Sequence, residues 1–161
     1  MTDSPSGLTD RRLRASSDLD SLTFDETGLL PVVAQDASTG RVLMVAWANR
    51  EALDTTLATG YATFWSRSRG ELWKKGVESG NTLELVELHA DCDGDTVLAL
   101  VNPAGPACHT GEPTCFGQGA WPSAEATLPA VWKTLTSRAE ERPEGSYTVR
   151  LLEDENLRMK K

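Results

Sequence analysis

Cysteine and histidine are scarce in this chain, which has three of the first and two of the second among 161 residues. An odd count of thiols cannot pair off completely, and so few exclude a small disulfide-stapled scaffold. Long apolar runs are missing as well. None approaches the roughly 20 residues of a helical membrane span, so no membrane partner is expected. The opening "MTDSPSGLTDRRLRASSDLD" has arginines but no apolar stretch, and does not read as a secretory signal. A cytoplasmic location, with the cysteines as free thiols, is the expectation that follows. Basic residues are outnumbered 16 to 24, for a net charge of −8. That balance argues against a nucleic-acid partner unless a local patch reverses the sign. What remains, 39% hydrophobic and 25% charged, is the composition of a soluble domain long enough to bury a core.

The punctuation of the chain suggests its organisation. Residues 1–20 are rich in Ser, Asp and Arg and read as a mobile arm. In "LLPVVAQDASTGRVLMVAWAN", two β-branched runs flank Asp36–Gly40, the pattern of a hairpin. Asn49 can cap a helix that carries Leu53 and Leu57 and closes at Gly60. A short apolar strand at Ala62–Trp65 precedes a basic segment rich in Gly and Ser. "TLELVELHADCDGDTVLALVN" reads as a second hairpin with Gly94 at its turn, although its period-two alternation is only partial. Pro and Gly break up 103–119 into loop. From Thr127 the spacing of Leu128, Trp132, Leu135 and Ala139 is helical, with Pro129 tolerated in the first turn. Short strands, few helices and no regular strand–helix alternation predict an α+β fold with mostly antiparallel sheet. The expected division is an arm at 1–20, a domain at 21–118 and a helical tail at 119–161.

All three cysteines and both histidines fall between His89 and Gly117. The spacing C-x15-C-x6-C matches neither the paired C-x2-C of zinc ribbons nor the signature of zinc nucleobase deaminases. Cys92, Cys108 and Cys115 could form the three-ligand shell of a catalytic zinc, or could be small apolar core residues. The Gly- and Pro-rich loop around Cys108 and Cys115 favours metal, because loop thiols have no core to fill. Asp91, Asp93 and Asp95 surround Cys92. In an extended strand they would share one face, with Cys92 on the other. Such a triplet suits a hard divalent ion such as Mg²⁺, or is simply an acidic, solvated tip; it does not match an EF-hand. His109, next to Cys108, is a candidate acid or base. His89 is assigned no role.

Between Trp65 and Gly76 four basic residues, Arg67, Arg69, Lys74 and Lys75, face one acid, Glu71, in an otherwise acidic chain. Ser66, Ser68 and Gly70 are interleaved, and Ser79-Gly80-Asn81 follows. Guanidinium forks, hydroxyls and open backbone N–H groups are what phosphate oxygens require, although a solvated basic loop has the same composition.

Taken together, "MVAWANREALDTTLATGYATFWSRSRGELWKKG", "SGN", "DCDGDT" and "GPACHTGEPTCF" resemble the phosphoribosyl-AMP cyclohydrolase family of histidine biosynthesis, over about Phe24 to Phe116. One departure is Val77-Glu78, where the family often has Glu-Thr. The resemblance implies hydrolytic opening of the adenine ring of phosphoribosyl-AMP at the N1–C6 bond. It implies zinc on Cys92, Cys108 and Cys115, magnesium on Asp91, Asp93 and Asp95, and an intertwined homodimer that shares the zinc site. His109 is then the candidate for proton transfer. Ser66, Arg67, Arg69 and Lys75, with Ser79, Gly80 and Asn81, are the candidates for substrate binding. The competing expectations are a zinc-stabilised nucleotide- or nucleic-acid-binding module without catalysis, and a deaminase of a simpler purine. The tail "LPAVWKTLTSRAEERPEGSYTVRLL" resembles the opening of phosphoribosyl-ATP pyrophosphohydrolase, and is expected to carry no second active site.

Overall fold

A computed structural model of the chain describes residues 10–117, 127–155 and 157. Two compact units are present, one of Met1–Ala37 with Arg41–Ala120, the other of Ser38–Gly40 with Trp121–Lys161. Among the described residues the first holds seven strands and one α-helix: β1 Arg12–Leu13, β2 Leu30–Asp36, β3 Val42–Ala48, α1 Arg50–Thr59, β4 Thr63–Ser66, β5 Glu71–Lys74, β6 Leu83–Ala90 and β7 Val97–Pro103. Five of the strands form a sheet in the order β1-β6-β7-β2-β3; β4 and β5 form a separate hairpin. All pairings are antiparallel except β2 with β7, which run parallel from Val32 opposite Val97 to Asp36 opposite Val101. The α+β character and mostly antiparallel sheet expected from the sequence are both present.

Both hairpins lie where the β-branched runs place them. The broken alternation of β6 has a physical cause. The register shifts between Leu85 and Glu87, a bulge that inserts Val86 and inverts the facing of the rest of the strand. Leu83 and Leu88 are therefore both buried although five residues apart, while Val86 is exposed. Helix α1 starts at Asn49, whose side chain accepts from the Ala52 N–H at 2.8 Å, and ends at Gly60 with φ +72°. Leu53 is buried beneath it. Thr56 ties the helix to β4: its hydroxyl donates to the Ala52 carbonyl at 2.8 Å and accepts from the Thr63 N–H at 2.9 Å.

Strand β5 was not anticipated. Glu71–Lys74 is short and charged, and it pairs with β4 because Trp73 lies opposite Phe64, ring centroids 5.6 Å apart. In the second unit α2 runs Thr127–Glu141, as the spacing predicts. Leu128, Val131, Trp132 and Leu135 of this helix are exposed. Sequence spacing missed α3, Tyr147–Glu153, which is capped by Ser146 and buries Val149. No helix among the described residues is long and apolar enough to cross a membrane.

The expectation of a mobile arm over residues 1–20 fails for 12–20, while residues 1–9 lie outside the described ones. Arg12 and Leu13 pair with His89 and Leu88 of β6. A 3-10 turn, Ser16–Ser21, follows, with Asp18 accepting from the Arg14 and Ala15 N–H groups at 2.7 and 3.0 Å. The few apolar residues of this polar segment carry it: Leu13 and Leu19 are buried in the main core. Leu19→Ala should therefore lower the unfolding free energy by about 2–5 kcal/mol in urea denaturation. A change within about 0.5 kcal/mol would mean that the segment is peripheral after all.

Candidate active site

The β6–β7 turn brings the aspartates together. Asp91 Oδ1 accepts from the Gly94 and Thr96 N–H groups at 2.9 and 3.2 Å. Burial raises the Asp91 pKa. The hydrogen bonds from Thr96 and Gly94, with the Asp93 and Asp95 side chains, outweigh it and hold the carboxyl below the usual carboxylate range. Gly94 is required here: φ is +77°, and a Cβ would lie 2.7 Å from the Ser21 carbonyl oxygen. None of the three aspartates is paired with Lys or Arg among the described residues.

Cys92 is not on the opposite face from the aspartates. Residues 91–95 form a tight turn rather than a strand, so period-two facing does not apply. The Cys92 thiol lies 3.7 Å from Asp93 Oδ1, and Asp91, Cys92 and Asp93 offer ligand atoms that all lie within 4.8 Å of one another. Among the described residues this is the one group of three metal-ligating side chains so close.

The other two cysteines lie at the opposite end of the sheet. Cys115 donates its N–H to the Leu43 carbonyl at 2.8 Å, and Thr114 bonds the Val42 and Leu43 carbonyls at 2.8 and 3.1 Å. The Cys108 and Cys115 thiols are near enough for each to shift the other's acidity. The Thr110 hydroxyl, 3.1 Å from Cys108 Sγ, leads the groups that hold the Cys108 thiol below its ordinary pKa. The Cys115 residue is exposed overall, but local desolvation of its sulfur pushes the thiol upward, the neighbouring Cys108 adds to this, and the Lys75 ammonium opposes it. His109 Nδ1 is 3.9 Å from Cys108 Sγ.

Register gives the separation. Cys115 docks at Leu43, level with 99–100 of β7, whereas Cys92 lies beyond Val97 at the other end and two strands away. Three to four residue steps and two strand spacings amount to roughly 15 Å. One zinc with bonds of about 2.3 Å cannot bridge that gap. Within one chain the three cysteines therefore do not meet.

The candidate substrate residues divide along the β4–β5 hairpin. Arg67, Ser68, Arg69 and Gly70 form its turn, tied by the Gly70 N–H to the Ser66 carbonyl at 2.8 Å. Ser66 and Ser68 hydroxyls are 3.5 Å apart. Arg69 is ion-paired to Glu71 at 2.9 Å, and Arg67 lies over the Trp47 ring at 4.7 Å. Lys75, at the hairpin base, is buried, with Nζ 3.5 Å from the Asn81 carbonyl. The turn carrying Ser79, Gly80 and Asn81 packs on the thiol-bearing loop: the Ala104 N–H donates to Thr82 at 2.9 Å, and a Cβ on Gly105 would meet Asn81 Oδ1 at 2.3 Å. Lys75, Ser79–Asn81, Cys108, His109 and Cys115 thus gather at one end of the sheet. Trp47 was missed in the sequence, where a lone strand tryptophan carries no signal beyond packing. His89 hydrogen-bonds Glu87 at 2.8 Å, at the β1 edge.

The phosphoribosyl-AMP cyclohydrolase family profile matches residues 44–117. A phosphoribosyl-AMP cyclohydrolase of Micrococcus luteus is 60% identical over 96 residues, covering 60% of this chain and 76% of the relative. The chain belongs to this family. The Rhodospirillum rubrum member is 54% identical over 105 residues, 65% of this chain and 73% of the relative. A histidine biosynthesis bifunctional protein HisIE of Thermus thermophilus is 52% identical over 137 residues, 83% of this chain. The chain spans just under two thirds of that relative's length, 64%. The family profile starts at Met44, so β1 and β2 with their buried leucines lie outside it.

A lower pKa means a larger thiolate fraction at a given pH, and thiolate is the nucleophile. In metal-free protein near neutral pH, iodoacetamide should therefore modify Cys108 faster than Cys115. Thr110→Val should slow the Cys108 reaction. Peptide mass mapping reads both rates, and an unchanged Cys108 rate in Thr110→Val would refute the assigned role of Thr110.

Proposed function

We propose that the chain opens the adenine ring of 1-(5-phosphoribosyl)-AMP hydrolytically at N1–C6, giving the formimino-carboxamide ribotide of histidine biosynthesis. The observation that carries this is the Cys108–Cys115 thiol pair, set beside His109 and Lys75 within the segment the family profile matches.

The donor chemistry fits zinc. Two thiols already interact, one of them favoured as thiolate, and a third thiol stands exposed at the β6–β7 turn. Because a single chain holds Cys92 too far from the pair, Cys92 of a second copy would complete the shell. The active form is then a homodimer with two shared sites. Zinc so held supplies a water activated for attack near neutral pH. The turn of Asp91, Asp93 and Asp95, with no ion pair to Lys or Arg among the described residues, fits a hard divalent ion such as Mg²⁺.

The remaining roles fall to side chains of this chain. His109 takes the proton of the attacking water and returns it to N1 as the N1–C6 bond breaks, so that no net proton is needed. Lys75 and Arg67 lie at opposite ends of a hairpin with three residue steps between Ser66 and Thr63, roughly 10 Å. A nucleotide with a phosphate at each end needs cations spaced on that scale. The Ser66 and Ser79 hydroxyls add neutral donors, while the Gly80 and Asn81 N–H groups are taken by the Gly76 carbonyl and the Ser79 hydroxyl, and Arg69, held by Glu71, contributes less free charge.

Ring opening is followed by absorbance with phosphoribosyl-AMP. Turnover should vanish with a zinc chelator and return on adding zinc; zinc-loaded protein without turnover would reject the proposal. Cys108→Ser should lose most of its zinc and lower kcat by more than about 100-fold, the upper end of what losing a group outside a metal's ligand shell costs. Unchanged zinc content would remove Cys108 from the shell. Light scattering tests the shared site, since chelation should weaken the dimer and a fully active monomer would exclude it.

A further inference from the structure

The turn of the β4–β5 hairpin carries two arginines in different electrostatic settings. Arg69 Nε meets Glu71 Oε1 at 2.9 Å, which occupies donors and cancels charge. Arg67 has no carboxylate partner among the described residues. Its guanidinium carbon lies 4.7 Å from the centroid of the Trp47 ring. A ring face attracts a cation through its quadrupole and takes none of the five N–H donors. An arginine held this way keeps its full charge and its hydrogen-bonding edge for an anion.

The ring is itself well anchored. Trp47 lies on β3 opposite Pro31 of β2, between Ala46 opposite Val32 and Ala48 opposite Leu30. Val32, Leu30 and Ala48 are all in the core, so the backbone carrying the ring is rigid. Arg67 sits on an exposed turn. Binding a phosphate there would ordinarily require freezing a long, free side chain.

We propose that Trp47 is a positioning residue that pre-orients Arg67 toward a phosphate of the substrate. The proposal rests on the assignment of Arg67 to that phosphate. The ring acts on the substrate through Arg67, so its effect belongs in binding.

The test uses metal-loaded full-length protein and steady-state ring opening of phosphoribosyl-AMP. Trp47→Leu should raise KM about two- to fivefold, the range an exposed cation–ring contact supports, and leave kcat within about twofold. Trp47→Phe, which keeps a π face, should recover most of the loss. In an Arg67→Ala background, Trp47→Leu should raise KM no further, because the two act as one unit. Should the leucine variant not fold, Trp47→Met, which keeps bulk without a ring, carries the same comparison. A KM rise of equal size with and without Arg67 overturns the proposal, since the tryptophan would then act through general packing. So does an unchanged KM in Trp47→Leu when Arg67→Ala raises it; in that case the phosphate assignment stands and only the positioning role falls. An unchanged KM in Arg67→Ala overturns both.

Discussion

Strands β2 and β7 pair in parallel, Val32 opposite Val97 through to Asp36 opposite Val101, and this register decides which loops share an end of the sheet. Had β7 paired antiparallel with β2, its ends would be exchanged relative to β3. As built, the C-terminal end of β7 lies level with the start of β3, so the loop that leaves β7 reaches Val42 and Leu43 and docks there through Thr114 and Cys115. The turn that opens β7, with Asp91, Cys92 and Asp93, is left at the other end. The alternating burial of β2, with Leu30, Val32 and Ala34 inward, locks the register. A slip of one residue would turn that whole set outward.

Two chemically distinct ends result. At one, thiols lie beside a buried lysine, in a setting that separates the two sulfurs in acidity: a hydroxyl favours the Cys108 thiolate while burial disfavours that of Cys115. At the other, three carboxylates collect with no basic partner among the described residues, and Asp91 is held by backbone N–H groups. Soft and hard cations sort between such sites by ligand type alone. The β4–β5 hairpin carries Lys75 at its base and Arg67 at its turn. The proposed substrate, charged at both ends and reactive in the middle, fits cations distributed in this way.

The N-terminal segment also depends on a partner distant in the chain. Its composition is polar, yet Leu13 and Leu19 are buried with the main core, and the Thr23 N–H bonds the Gly94 carbonyl at 2.8 Å. The acidic turn is thereby braced by residues that the family profile does not include. Composition averaged over 20 residues hides the two leucines that are buried, which is why the segment reads as an arm.

Local chemistry was legible in the sequence wherever a single residue carries its own instruction. Asn49 and Gly60 mark the ends of α1, the β-branched runs mark both hairpins, and the clustering of cysteines, histidines and aspartates marks the segment that the family comparison also selects. Features set by partners distant in the chain were not legible. The bulge at Val86 inverts the facing of β6, β5 exists because Trp73 meets Phe64, and Arg67 and Arg69 differ only because one meets Trp47 and the other Glu71. The separation of Cys92 from Cys108 and Cys115 belongs to this second group. Sequence spacing places three thiols within 24 residues, but the chain between Cys92 and Cys108 contains the seven-residue strand β7, which carries its ends apart at about 3.3 Å per residue. Ligand types are a property of the sequence; whether they can converge in one chain is decided by strand direction and register.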